Sequence, residues 1–272
     1  MRVKDIFIQK EARYFHVEEW EREHPGLMVG FTTKNGGTSI DEYSSLNMGF
    51  HVNDREQNVL QNRKILSEQL HVDLSNWVVG EQVHDTKVAL IQATDVGSGS
   101  HSNNTSLSGV DGLIIPPDVN ALAVSLYADC VPLYFFDPVT KFVGIAHAGW
   151  KGTVGRIASK MVQSFVDQGS EKKNIKVIVG PSISREHYQV DNNVIKHLTD
   201  NEMQICTNQV SDNQYLLDLK ELNREILLQS GVFRHNIEVT KYCTFRDETL
   251  FFSHRRDKGI TGRMLGFIGY NV

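Results

Sequence analysis

A chain of 272 residues with a formal net charge of -5 gives no electrostatic reason to expect nucleic acid, whose phosphates demand a concentrated basic face. Hydrophobic residues at 40% and charged residues at 22% exclude a largely disordered or fibrous chain, and the length lies near the upper size at which one core is kept rather than split. Residues 1–19 intersperse Arg2, Lys4, Asp5, Lys10 and Glu11 among apolar residues, unlike a signal peptide, and no stretch is apolar for long enough to span a bilayer. Cys130, Cys206 and Cys243 are odd in number and far apart, which argues against a disulfide framework. The expectation is one domain, residues 1–272, in the cytoplasm, without nucleic-acid or membrane partners.

In chain order, apolar and β-branched runs predict strands at 27–33, 77–79, 88–91, 112–115, 121–127, 133–136, 142–146 and 175–179. A helix is expected over 54–70, with Asp54 as its N-cap. The loop 97–108, rich in Ser, Gly and Asn, is a candidate lid. Val154, Ile157, Ala158, Met161, Val162, Phe165 and Val166 fall on one face at helical spacing, with Gly169 as a stop. A third helix is expected over 219–228, ahead of Gly231. Strands outnumber helices, and 112–146 has no room for a helix between strands, so a simple βαβ wind is excluded. The fold class is α/β with an α+β tendency: mixed sheets sandwiched by outer helices.

Two segments concentrate reactive side chains: Tyr127-Ala128-Asp129-Cys130-Val131-Pro132, and the stretch 144–153 containing His147, Gly149, Trp150 and Lys151. Each reads as following a strand, with Pro132 and Gly149 as sharp exits, and Gln82-Val83-His84-Asp85 reads as ending the strand begun at Trp77. Three strand ends can then bring His84, Cys130 and His147 together. One thiolate and two imidazoles suit zinc, with a fourth position left open. The residues alone also allow Cys130 to be a small buried apolar group and the histidines to cap loops. The run 149–153 enters a helix, so its N–H groups and Lys151 can meet an anion, or Lys151 is simply exposed. Arg255 and Arg256 can clamp a phosphate or carboxylate, or sit in solvent paired with Asp247 or Asp257.

Taken together, QVH at 82–84, ADCVP at 128–132, HAGWKGT at 147–153, GPSI at 180–183 and FFSHRRDKGITGR at 251–263 resemble the laccase-domain family of polyphenol-oxidase-like, FAMIN-type purine nucleoside enzymes. Phe31-Thr32-Thr33-Lys34-Asn35-Gly36-Gly37 with Leu46-Asn47-Met48-Gly49 is similar to the family's opening motif. The resemblance implies one zinc per chain on His84, Cys130 and His147, with copper able to substitute. It also implies phosphorolysis of adenosine, guanosine, inosine and S-methyl-5'-thioadenosine, and hydrolytic deamination of adenosine. Purine nucleosides and inorganic phosphate are the expected partners. Lys34, Arg255 and Arg256 are the candidates for the phosphate, and Asn47 for the sugar or base. Lys34 stands where the family usually has arginine, and His187 near the place of a usual cysteine.

Three other readings compete. A blue multicopper oxidase draws its ligands largely from His-X-His pairs, and the 11 histidines include none. A cysteine hydrolase would use Cys130 as nucleophile and His147 as its base, leaving His84 without a role. A binding module with a structural zinc is compatible with the same three residues.

Overall fold

The computed structural model describes residues 5–270. Its centre is a pair of six-stranded sheets packed face to face. The first runs, in spatial order, Ile8–Gln9, Tyr14–His16, Leu27–Thr32, Met264–Tyr270, Leu122–Tyr127 and Trp77–Val79. The second runs Ile237–Val239, Lys176–Val179, Val131–Phe136, Val143–Ala148, Gly112–Ile115 and Val88–Leu90. Both are mixed. In the first only the pairing of Trp77–Val79 with Leu122–Tyr127 is parallel, and in the second both edge pairings are parallel.

Period-two alternation sends side chains from every central strand to two different cores. Ala123, Tyr127, Met264 and Ile268 point between the sheets, where they meet Tyr134, Phe136, Val143, Ile145 and Ile178. Leu122, Val124, Leu126, Leu265 and Phe267 point outward and pack with Leu66 and Leu70, which belong to the helix Glu56–Leu70. On the far side of the second sheet, Val131, Leu133 and Phe135 meet Met161, Phe165, Leu222 and Ile226, from the helices Ile157–Asp167 and Leu219–Gln229. Full burial of each such side chain stabilises the fold by roughly 1.5–3 kcal/mol, so strands buried on both faces need no polar residues. Two phenols pin the sheets together. Tyr134 donates to the Gly30 carbonyl at 2.9 Å, and Tyr127 to that of Ala146 at 3.1 Å.

The expected mixed α/β architecture with outer helices is therefore what forms, with differences in detail. The helix expected from Asp54 begins at Glu56, because the Asp54 carboxylate is drawn away to Ser39 Oγ at 2.6 Å and Asn47 Nδ2 at 2.9 Å. The continuous helix expected through Val154 is split into Trp150–Val154 and Ile157–Asp167. At the break Arg156 takes a left-handed φ of 68°, and its guanidinium pairs twice with the buried Glu202 carboxylate. Met264–Tyr270 was not expected as a strand, and neither was the small antiparallel sheet of Gln189–Asp191, Gln214–Leu217 and Thr207–Ser211. Among the described residues no helix is long and apolar enough to cross a membrane.

Candidate metal centre

The turn 128–130 carries the chain from the first sheet to the second, so Cys130 sits where Leu122–Tyr127 has ended and Val131–Phe136 has yet to begin. His147 lies within Val143–Ala148 rather than beyond it, and Pro132 pairs opposite it instead of forming an exit. His84 occupies the connection between Trp77–Val79 and Val88–Leu90, well past the strand expected to end at it. Despite these shifts the three residues converge. Their ligand atoms all lie within 4.8 Å of one another, Cys130 Sγ is 3.8 Å from His84 Nε2, and the imidazoles meet edge to face with centroids 4.7 Å apart. Among the described residues they form the one cluster of three His, Cys, Asp or Glu able to hold a metal.

Gly149 makes this convergence sterically possible. A Cβ there would lie 2.8 Å from His84 Cδ2 and 3.0 Å from Cys130 Sγ, closer than carbon packs against either atom. The run 149–153 thus provides clearance for the cluster, and Lys151 is exposed, 5.8 Å from the ring of its neighbour Trp150.

Behind the histidines lies Asp111, a buried residue that the sequence reading did not single out. Its carboxylate is 2.8 Å from His147 Nδ1 and accepts the backbone N–H groups of Val83, His84 and Asp85 at 2.9–3.2 Å. Burial works against ionisation of Asp111, but the bond from His147 and the backbone donors outweigh it and hold its carboxyl below the usual range. Burial likewise opposes charge on Cys130 and His147. The pair overcomes it mutually, with the thiol brought down to about 6 and the imidazole raised to about 9.

The cluster opens on a pocket of about 780 Å³. The small third sheet supplies one wall through Gln189, Asp191 and Gln214, and Asn103 of the loop 97–108 lies on its border. Tyr188 and Trp150 add aromatic faces, and Ile183 and Val190 add apolar contact.

Of the four residues proposed for substrate, only Arg255 lines this pocket. Its guanidinium lies 5.1 Å over the Tyr188 ring, and one N–H group donates to the Gln189 carbonyl. Arg256 points elsewhere: it donates to the carbonyls of Thr244, Phe245 and Phe251 and forms a two-bond pair with Asp257. Those bonds use up the guanidinium, so Arg256 ties loops together instead of meeting an anion. Asn47 is fully buried and joins Asp54, Gly49 and the Arg263 N–H group. Lys34 also stays off the pocket lining, and burial together with the Arg256 charge lowers its pKa. His187 stacks on Phe245 with centroids 4.3 Å apart.

Two further pocket residues were not chosen from sequence. Arg263 uses one terminal nitrogen on the carbonyls of Thr261 and Gly262. His51 lies beside it, both flanking Gly49. Burial and then the positive charges of Arg263 and Arg63 push His51 down to about 4, so it faces the pocket neutral.

Residues 28–271 match the family described as multi-copper polyphenol oxidoreductase laccase. The chain belongs to this laccase-domain family. Its relatives include a protein from Bacillus subtilis named purine nucleoside phosphorylase YlmD, 42% identical over 93% of both chains. The protein of that name from Geobacillus stearothermophilus is 43% identical over 97% of both. The crystal structure of the Geobacillus stearothermophilus YlmD superimposes on this laccase-domain chain with a TM-score of 0.94, covering 99% of it and 100% of that chain. A Neisseria meningitidis protein, NMB0706, is more distant at 28% identity, 91% and 96% coverage and a TM-score of 0.79.

Proposed function

We propose that this protein is a zinc-dependent purine nucleoside phosphorylase acting on adenosine, guanosine, inosine and S-methyl-5'-thioadenosine, and that it also deaminates adenosine to inosine. The observation that carries the reading is the meeting of a His84, Cys130 and His147 cluster with two arginines, Arg255 and Arg263, in one pocket. The relatives named purine nucleoside phosphorylase support the substrate class.

The donor set fits zinc. One thiolate and two imidazoles are borderline-soft ligands, and bonds of about 2.0–2.3 Å at a tetrahedral ion set sulfur and nitrogen about 3.5 Å apart, near the 3.8 Å between Cys130 and His84. When bound, the ion supplies Lewis acidity to the pocket. In phosphorolysis a phosphate oxygen forms a bond to C1' of the ribose as the bond from C1' to the purine nitrogen breaks. The base leaves with a proton, and ribose 1-phosphate or its 5-methylthio derivative remains. Arg255 and Arg263 hold the phosphate beside a carbon gaining positive character, while Tyr188 and Trp150 offer faces on which a purine stacks. In deamination water adds at C6 and ammonia leaves, with no phosphate required.

A cysteine-hydrolase reading draws on one specific observation, the line from Cys130 through His147 to Asp111, which has the order of a nucleophile, its base and an orienting carboxylate. It leaves His84 unused. The polyphenol-oxidase reading follows the family's description, with copper in place of zinc at the same residues. The full set of blue-oxidase centres needs further ligand groups that the described residues do not bring together.

Product analysis decides among these. Metal-defined protein given adenosine should release adenine only with phosphate and inosine without it, and elemental analysis should find about one zinc per chain. Several coppers per chain with phenol oxidation and no nucleoside turnover would transfer the assignment to the oxidase.

A further inference from the structure

We infer that Asp111 is a positioning residue that builds the metal-binding geometry, with a single carboxylate setting two of the three ligand-type side chains. The inference rests on the metal reading above. Asp111 is 1% exposed and immediately precedes the strand Gly112–Ile115, between the connection that carries His84 and the strand that carries His147. Oδ1 is 2.8 Å from His147 Nδ1 and accepts the His84 N–H at 3.1 Å. Oδ2 accepts the N–H groups of Asp85 at 2.9 Å and Val83 at 3.2 Å. The backbone repeats the stitching. The Asp111 carbonyl accepts the His147 N–H at 2.8 Å, and the N–H groups of Asp111 and Gly112 donate to the Lys87 carbonyl at 3.1 Å.

Two consequences follow from acceptor chemistry. Both Asp111 oxygens already accept backbone N–H groups and Oδ1 faces His147 Nδ1 as an acceptor, so Nδ1 is the donor. Its proton is fixed there, and Nε2 is left as the ligand atom. His84 adopts a φ of 61°, a left-handed conformation that a side chain with a Cβ seldom takes. Three successive N–H groups converging on one carboxylate hold it there, and this places Nε2 near the thiol. Asparagine cannot replace this group. Four donors surround the two oxygens, and an amide would turn a donor of its own toward two of them.

The test compares cobalt(II) and zinc binding to wild type and Asp111→Asn by competition with a chelator, together with melting of the metal-free proteins. The expected result is a fold that survives and metal affinity lowered by roughly 10–100-fold, with an altered cobalt absorption band. Asp111→Glu keeps the charge but displaces it, and should also bind more weakly. Equal affinity and an unchanged band in Asp111→Asn would overturn the inference. Should Asp111→Asn fail to fold, wild type loaded with NMR-active cadmium and labelled histidine decides. Coupling to His147 Nε2 supports the assignment, and coupling to Nδ1 overturns it. Wild type that binds none of these metals would remove the metal reading itself and the role of Asp111 with it, whereas tight binding by both proteins removes only the role.

Discussion

Arg255 and Arg256 are neighbours in sequence and opposites in place. Arg255 faces the pocket with part of its fork engaged by Gln189 and Tyr188, whereas Arg256 spends its donors on three carbonyls and one carboxylate. The cluster of His84, Cys130 and His147 differs from both, since its three ligand atoms turn toward one another within 4.8 Å. Three ligand-type side chains converging on one point narrow the chemistry in a way that one side chain alone does not. A lone arginine does not narrow it, because the same five donors serve an anion or the protein's own loops.

The largest effect that sharpens this contrast is expected at the cluster. Cys130→Ala should remove the metal and lower both reactions by on the order of a thousandfold. Cys130→His should keep partial deamination that tracks zinc occupancy, since imidazole is a zinc ligand but not the same nucleophile. Trapping a substrate-derived adduct on Cys130 by mass spectrometry would instead favour the hydrolase. The second effect separates the two arginines. Arg256→Ala should destabilise the fold by about 2–4 kcal/mol, as buried carbonyls and Asp257 lose their partner, with both reactions falling together. Arg255→Ala should raise the phosphate concentration needed for nucleoside cleavage about tenfold, leaving deamination and the melting temperature nearly unchanged. Equal outcomes for the two variants would erase the distinction.

The next effect is one of pH, in metal-free protein. The depressed Cys130 pKa contributes stability that is full above the unfolded value of 9.0 and lost as pH falls through about 6. The raised His147 pKa contributes below 6.5 and is lost as pH rises through about 9. Between 6.5 and about 9 the two slopes oppose each other, because the proton that Cys130 releases is matched by one that His147 keeps. Melting temperature should stay nearly flat across that window while thiolate absorbance titrates near pH 6, a step that Cys130→Ser removes. A thiol that titrates near 9 would break the pairing. The smallest effect is expected from Lys34→Arg, which keeps the charge at a position off the pocket lining. Its turnover and phosphate dependence should change by less than about twofold.

The eight expected strands all exist, and apart from the edge strand Val88–Leu90 their continuous apolar runs suit strands buried on both faces. Met264–Tyr270 was not legible as a strand because Gly266 and Gly269 interrupt its alternation. The third sheet escaped because Thr207–Ser211 is polar and mostly exposed. At the site, Cys130, His84 and His147 were legible as residue types, but their placement relative to strands was not. Asp111 was invisible for a different reason. Three of its partners are backbone N–H groups, which leave no mark in side-chain pattern, and Asp111-Gly112 reads only as a turn ahead of a strand. Asn47 and Arg256 belong to motifs that carry the family resemblance, and motif membership does not distinguish a residue that touches substrate from one that shapes the loop.

The position of Met264–Tyr270 also bears on how the molecule is made. It lies between Leu27–Thr32 and Leu122–Tyr127 in the middle of the first sheet, yet it is synthesised after the other strands of the described residues. The second sheet, drawn from strands between Val88 and Val239, can assemble on the emerging chain. The first sheet must wait with its two halves unjoined, exposing Phe31, Val124 and their neighbours until the closing strand arrives. The face of the second sheet that meets Met264 and Ile268 stays uncovered for the same interval, so the core between the sheets closes only when this strand is in place.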